Sequence, residues 1–257
     1  MILRRLGNKK AVAKKLLPLF PKHKIYVELF FGAGGMFFNK PRAKYNFLND
    51  IDSEVYNCFD VLIRKRDELR QYIEMIPYST DFWNECKRGE YSSEVERAVY
   101  FLVLSNFGYM GKPETLSMCV TKSKDNLIKV IDSTYNELVR GGNVILNSDF
   151  RSVLGQISLK EKDNEPADTF IYSDPPYLDT TNNYNAPEWT KADVVDCFDT
   201  TFNSGIKGAM SEFDHPFILE QAKERGLNVH IIGERVNMKN RRTEILIANY
   251  KLNNTLF

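Results

Sequence analysis

Ile25-Tyr26-Val27-Glu28-Leu29-Phe30-Phe31 runs directly into Gly32-Ala33-Gly34-Gly35, and a second apolar stretch, Tyr45-Asn46-Phe47-Leu48-Asn49-Asp50, follows. The first stretch reads as a buried strand, because aromatic and β-branched side chains suit a pleated surface covered on both faces. The glycines stop it and let the backbone turn sharply or come close to a ligand. Strand, glycine loop, short helix and second strand make a βαβ unit, and such a unit implies a parallel sheet.

Upstream, residues 8–20 place Val12, Leu16 and Leu19 or Phe20 on one helical face, with Pro21 as the stop. Downstream, from about residue 52 to 140, the apolar period becomes helical. Val55, Phe59, Leu62 and Leu69 form one stripe, Val95, Val99, Leu102 and Val103 another, and Leu127, Ile131 and Leu138 a third. Strand-like runs resume at Val144-Ile145-Leu146 and Thr169-Phe170-Ile171-Tyr172-Ser173. They continue at Gly208-Ala209-Met210-Ser211, Val229-His230-Ile231-Ile232 and Thr243-Glu244-Ile245-Leu246-Ile247-Ala248. Helices are expected near 190–203 and 216–225, the second closed by Gly226. The expected organisation is α/β: a sheet domain of residues 1–52 and 141–257, interrupted by a helical insertion over 53–140.

At 257 residues the chain can bury a full core, and 43% hydrophobic with 27% charged residues describes a globular protein. A formal net charge of +1 leaves a nucleic-acid partner open only if basic residues gather on one face. No apolar run approaches the roughly 20 residues that span a bilayer, and the start lacks a secretory pattern, so a cytoplasmic protein without a membrane partner is expected. The four cysteines and three histidines are scattered, with no Cys-x-x-Cys, which argues against a disulfide framework and against a metal.

Ligands of an open parallel sheet gather beyond the carboxyl ends of its strands. Gly32, Asp50, Asp149 and Asp174 all fall at or just after such ends. The spacing Gly-Ala-Gly-Gly departs from the dinucleotide pattern Gly-x-Gly-x-x-Gly. Asp50 is placed to bond a ribose diol and Asp149 to accept from an adenine amine, which suits an adenosine-containing cofactor. The bland readings are that the glycines merely turn the chain and that Asp50 caps a helix. Asp174-Pro175-Pro176-Tyr177 closes the strand at 169–173. Its prolines remove two backbone donors, its Asp adds a charged acceptor and its Tyr a flat face, a set that can hold a nucleobase by its amino group. A plain turn is the competing reading.

These segments together resemble the Dam-like (D12 class) DNA adenine-N6 methyltransferases. Leu6-Gly7-Asn8-Lys9-Lys10 is similar to that family's amino-terminal element. Val27-Glu28-Leu29-Phe30-Phe31-Gly32-Ala33-Gly34 is similar to its Glu-Pro-Phe-x-Gly-x-Gly loop, with Leu29 in place of proline. Asn49-Asp50-Ile51 resembles the ribose-binding segment, Ser148-Asp149-Phe150 the adenine-binding pair, and 174–177 the catalytic motif. The resemblance implies a Rossmann-like methyltransferase sheet, mostly parallel with an antiparallel last strand. It also implies S-adenosylmethionine as cofactor, held by Gly7, Asn8, Lys9, Glu28, Phe30, Phe31, Gly32, Ala33, Gly34, Asp50, Ile51, Asp149, Phe150 and Asp174. Catalysis would fall to Asp174, Pro175, Pro176 and Tyr177, with Tyr177 stacking on a flipped adenine.

The partner implied is double-stranded DNA. Candidate contacts are Asn106, Tyr109, Lys112, Lys122 and Lys124 in the insertion, Tyr184 in a lid, and Lys239, Arg241 and Arg242 before the last strand. For each of these singly, a solvated or packing role is an equal reading. The stretch Ser105-Asn106-Phe107-Gly108-Tyr109-Met110-Gly111-Lys112 departs from GATC-specific members, so that specificity does not carry over. A monomeric enzyme is expected, with or without a cognate restriction enzyme. RNA or a protein amide as acceptor, and an inactive DNA-binding module of the same fold, remain the alternatives.

Overall fold

The structure is a computed structural model, and it describes residues 1–5, 7, 9–109, 112–117, 123–159, 168–180, 187–236 and 241–252. After a short 3-10 turn at Lys9–Ala11 come α1 (Ala13–Leu16), β1 (Ile25–Glu28) and β2 (Tyr45–Asn49). Four helices follow: α2 (Ser53–Arg64), α3 (Arg66–Met75), α4 (Thr80–Arg88) and α5 (Glu94–Phe107). A hairpin of β3 (Gly108–Tyr109) and β4 (Lys112–Leu116) leads to α6 (Lys124–Leu138), β5 (Asn143–Leu146), α7 (Phe150–Gln156) and β6 (Thr169–Ser173). The chain ends with α8 (Lys191–Phe202), β7 (Lys207–Phe213), α9 (Pro216–Glu224), β8 (Asn228–Val236) and β9 (Arg241–Ala248).

Seven strands form one sheet in the order β5-β2-β1-β6-β7-β9-β8. The β1, β2, β5, β6 and β7 pairings are parallel, while β9 runs antiparallel to both β7 and β8. The antiparallel last strand is therefore as expected. Chain order steps outward from β1 to β2 and β5, then returns to β6 on the other side of β1. The switch point lies between β1 and β6, the place where such sheets open a crevice. Glu28 pairs in register with both Leu48 and Tyr172, so β1, β2 and β6 end level. That alignment brings the loops after the three strands to one edge.

Each face of the sheet is covered. On one side Val27, Ile171, Met210 and Ile247 pack against Phe198, Val194 and Ile218 of α8 and α9. On the other, Tyr26, Phe170 and Leu48 belong to a cluster that continues through Phe59 and Leu62 of α2 into α3–α6. Phe31 meets Phe59 with ring centroids 4.9 Å apart, which joins the glycine loop to α2. Each helix from α2 to α6 except α3 starts on an Asp or Ser side chain that accepts a first-turn amide.

Two local expectations differ from the structure. The helix over 8–20 is broken into Lys9–Ala11, α1 and Leu17–Leu19, and Pro18 has no N–H to carry the α1 ladder onward. The short helix after the glycines is a run of turns, held by Phe38 N–H to Gly34 O (3.0 Å) and Lys40 N–H to Met36 O (3.0 Å).

Candidate active site

β1 ends on Glu28, which is 2% exposed and accepts from the Tyr26 hydroxyl over 3.0 Å. Burial pushes its carboxyl up to about 8, with the Tyr26 bond working in the opposite direction. Beyond it the bond rows continue for one step: Leu29 N–H donates to Tyr172 O (3.1 Å) and Phe31 N–H to Asn49 O (2.7 Å). Gly32 (φ +51°) and Gly34 (φ +73°) then reverse the chain in left-handed conformations. A side chain on Gly34 would strike the rings of Phe38 and Phe31, whereas Gly32 has open space where a Cβ would sit.

Asp50 leaves β2 and folds back over that loop. One carboxylate oxygen accepts from Gly32 N–H at 2.6 Å, the other from Asp52 N–H at 2.9 Å. Burial holds its carboxyl above the usual aspartate range despite those two donors. Asn49 is a buried clamp. Its amide donates to Leu29 O and Ser148 O, both at 3.0 Å, and its oxygen accepts from Ser148 N–H at 3.0 Å. It thereby fixes the loops after β1 and β5 to β2. Asp52 caps α2 and accepts from Arg5 at 2.7 Å.

Asp149 caps α7 through Arg151 N–H (2.9 Å). The Arg151 guanidinium then bridges Asp149, Asp196 and Asp193. Phe150, beneath it, lies 5.2 Å from Phe30 and 5.7 Å from Trp189, forming an aromatic corner. Trp189 directly precedes the capping box between Thr190 and Asp193 that starts α8.

Asp174 follows β6. The Lys9 ammonium pairs with it at 2.7 Å, pairs with Glu244 at 3.2 Å and donates to the Tyr177 hydroxyl. The Tyr177 hydroxyl in turn donates to Glu244 at 3.2 Å. Lys9 also covers one face of the Tyr177 ring, 4.5 Å from its centroid, and Phe213 meets the ring edge-on. The next backbone amide, Leu178 N–H, donates to Glu212 at 2.8 Å. Glu212 is 1% exposed, and burial pushes its carboxyl up to about 9.

A single cleft of about 350 Å3 joins these parts. Gly7, Lys9, Glu28, Phe30, Phe31, Gly32, Ala33, Asp50, Ile51, Asp149, Phe150 and the whole of 174–177 border it, as do Arg5, Asp52 and Trp189, which the sequence did not single out. Gly34 stands behind the loop and shapes it without lining the cleft.

The candidate DNA contacts are not brought together in this way. Asn106 is buried, and its amide hydrogens go to Ile2 O (2.8 Å) and Leu102 O (3.0 Å). Lys124 donates to Glu74 O (3.0 Å) and Ile76 O (2.9 Å), closing the end of α3. Tyr109 is 60% exposed on the β3–β4 hairpin. Arg242 lies over the Phe213 ring at 5.4 Å, beside the cleft. Asn8, Lys122, Tyr184 and Lys239 lie outside the described residues, as do the side chains of Lys112 and Arg241. Among the described residues no group of three or more His, Cys, Asp or Glu is arranged to hold a metal ion, and no helix is long and apolar enough to cross a membrane.

A mostly parallel sheet of this order, with one antiparallel strand inserted next to last, is a Rossmann-like methyltransferase sheet. The chain belongs to the D12 class N6 adenine-specific DNA methyltransferases, a family whose model matches residues 6–238, and it is a DNA adenine methyltransferase. Its curated relatives include the type II methyltransferase M1.LlaDCHI of Lactococcus lactis subsp. cremoris, 25% identical across 95% of this chain and 93% of that protein. The modification methylase StsI of Streptococcus sanguinis is 24% identical across 97% of this chain, which spans only 42% of StsI. Among solved structures, Trm5b from Pyrococcus abyssi superposes with a TM-score of 0.36 at 13% identity, over 94% of this chain and 48% of that one. Methyltransferases of this family and fold use S-adenosylmethionine in general.

Proposed function

We propose that the cleft binds S-adenosylmethionine along the strand ends and receives a flipped adenine from double-stranded DNA at Asp174-Pro175-Pro176-Tyr177. One observation carries this reading: the glycine loop, Asp50 and Asp174 open on the same cleft. The donor set fits the cofactor. Asp50 offers carboxylate oxygens for a ribose diol. Phe30 and Phe150, with Ile51 40% exposed at the cleft, offer apolar walls for a purine. Asp174 lines the stretch between and suits a cationic sulfonium, with Glu28 beside it. When bound, S-adenosylmethionine supplies an activated methyl group.

The target nitrogen is a weak nucleophile, because its lone pair is delocalised into the purine ring. In this reading Asp174 and the Pro175 carbonyl each accept one N–H of the amine, which frees the lone pair toward the methyl. Catalysis is then positioning plus electrostatics, with no covalent enzyme intermediate. Tyr177, held at its hydroxyl, presents a rigid wall to the base. Stacking of this kind is worth roughly 1–3 kcal/mol per base. Extrusion of the base from the duplex costs a few kcal/mol, which DNA contacts must offset.

The helical segment 53–140 is the proposed target-recognition element, with Tyr109 on its hairpin and Arg242 beside the cleft as exposed contacts. A cognate restriction enzyme is in keeping with the modification methylase among the relatives. Calorimetric titration with S-adenosylhomocysteine tests the cofactor site. Methylation-aware long-read sequencing of DNA from cells expressing the protein tests the substrate: methylated adenines confined to one short sequence support the reading, and unmodified DNA refutes it.

A further inference from the structure

Tyr177-Leu178-Asp179-Thr180 makes a tight turn at the end of the proline motif. Tyr177 O accepts from Thr180 N–H at 3.2 Å and from the Thr180 hydroxyl at 2.6 Å. Asp179, the third residue of the turn, has φ +56°, the only positive φ outside glycine among the described residues. That position of a turn with this sign of φ ordinarily takes glycine or asparagine, because a Cβ crowds the left-handed conformation. A backbone in so sparse a region persists only where its surroundings hold it. Tyr177 and Thr180, the two ends of the turn, border the cleft, and Asp179 does not.

The holding contacts come largely from the end of β7 and the segment after it. Leu178 N–H donates to Glu212 at 2.8 Å. Two residues beyond β7, Nε2 of His215 stands 3.2 Å from Asp179 Oδ2. His215 is itself fixed, since it caps α9 and its Nδ1 accepts from Phe217 N–H at 3.1 Å. With Nδ1 in use as an acceptor, the ring proton lies on Nε2, on the side of the Asp179 carboxylate. Asp214, beside it, is anchored to β9: its N–H donates to Thr243 O at 3.0 Å, and its carboxylate accepts from Thr243 N–H at 3.3 Å. A guanidinium nitrogen of Arg242 lies 3.4 Å from Asp179 O.

We propose that His215 is a positioning residue for methyl transfer: it ties down the Asp179 carboxylate, holds the turn 177–180 in its left-handed form and so sets Tyr177 and Thr180 at the cleft. This rests on the reading of Asp174-Pro175-Pro176-Tyr177 given above. Glycine at 179 would form the turn unaided. Aspartate forms it with a carboxylate that His215 can hold.

His215→Asn keeps the cap of α9, because Asn is among the best N-cap residues, and its side chain is too short to reach Asp179. Methyl transfer to unmethylated plasmid DNA at saturating S-adenosylmethionine is expected to slow by about tenfold, while the Kd for S-adenosylhomocysteine stays within about twofold. An unchanged kcat overturns the proposal. Substitution at 179 separates backbone conformation from charge, because Asp179→Gly and Asp179→Ala both lose the carboxylate. D179G is expected to be about fivefold or more faster than D179A, since only glycine enters the left-handed region freely. Equal rates overturn the proposal. In the D179G background H215N is expected to add no further loss. The same fractional loss there as in the parent means that His215 acts elsewhere, and overturns it. Should H215N fail to fold, His215→Ser, which also caps, takes its place with the same expected rates. Asp174→Ala, run alongside, separates the two claims: activity in that variant defeats the reading of the motif, whereas a dead D174A with H215N as fast as the parent defeats this inference alone.

Discussion

The amide of Gly32 donates to the carboxylate of Asp50 over 2.6 Å, so the loop after β1 and the loop after β2 form one wall of the cleft. The left-handed Gly32 aims its N–H at that carboxylate and leaves open space where a side chain would stand. Asp50 thus shapes the loop, and in the proposed reading it also presents oxygen to the cofactor. Asp50→Asn preserves one acceptor for the loop and loses the charge. The Kd for S-adenosylhomocysteine is expected to rise by roughly tenfold, about 1.4 kcal/mol, and the melting temperature to fall, because one of the two amides that Asp50 accepts is left facing an NH2 group. Calorimetry checks this, and unchanged affinity would remove Asp50 from the cofactor site.

Gly34→Ala is expected to damage the same loop for a different reason. Its φ of +73° disfavours any side chain, and the new methyl meets the rings of Phe38 and Phe31. Strain of this kind costs on the order of 1–3 kcal/mol. Urea unfolding reads the loss, and a stability equal to the parent's contradicts the packing described here.

Glu212 gives the protein a pH dependence of defined sign. Burial raises its folded-state value to about 9 from 4.5. Between those values the folded chain holds a proton that the unfolded chain has released, so stability falls as pH rises through the window. Below 4.5 both states are protonated and the effect vanishes. Glu212→Gln removes the titration. Its stability relative to the parent is expected to grow by on the order of 2 kcal/mol from pH 6 to pH 8. Denaturant curves that stay parallel at the two pH values would show that Glu212 is ionised in the folded state.

Arg242 and Lys124 are both cations near the proposed DNA surface, and the structure separates them. Lys124 is engaged by the carbonyls of Glu74 and Ile76, so Lys124→Ala is expected to cost about 1 kcal/mol of stability and to leave the salt dependence of DNA binding unchanged. Arg242 lies over Phe213 beside the cleft. Arg242→Ala is expected to reduce the slope of log K against log salt by about 1. Fluorescence anisotropy across a salt series checks both, and the reverse pattern would relocate the DNA surface.

Much of this was legible in the sequence, for identifiable reasons. The apolar runs at 25–31, 45–50 and 169–173 marked central strands because strands buried on both faces carry few polar residues. That Gly32, Asp50, Asp149 and Asp174 line one cleft was legible because the loops beyond the carboxyl ends of parallel strands gather at one edge. Trp189, Glu212 and Glu244 were not singled out, since each reaches the site through tertiary packing from a distant segment, and Arg5 and Asp52 were not because their ion pair forms only when residues 47 apart meet in the fold. A signal did exist for Glu212 and Glu244: an acid inside an otherwise apolar strand, as in Met210-Ser211-Glu212-Phe213 and Glu244-Ile245-Leu246-Ile247. Asn106 shows the opposite limit. A polar residue at a helix end looks the same in sequence whether it faces DNA or, as here, satisfies the carbonyls of Ile2 and Leu102.

Nucleoside mass spectrometry of plasmid DNA incubated with S-adenosylmethionine and either the parent protein or Asp174→Ala tests the central claim most directly. N6-methyldeoxyadenosine is expected with the parent, and none with Asp174→Ala even though that variant still binds S-adenosylhomocysteine. N6-methyldeoxyadenosine at the parental rate from Asp174→Ala, or methylation found on cytosine instead, would contradict it.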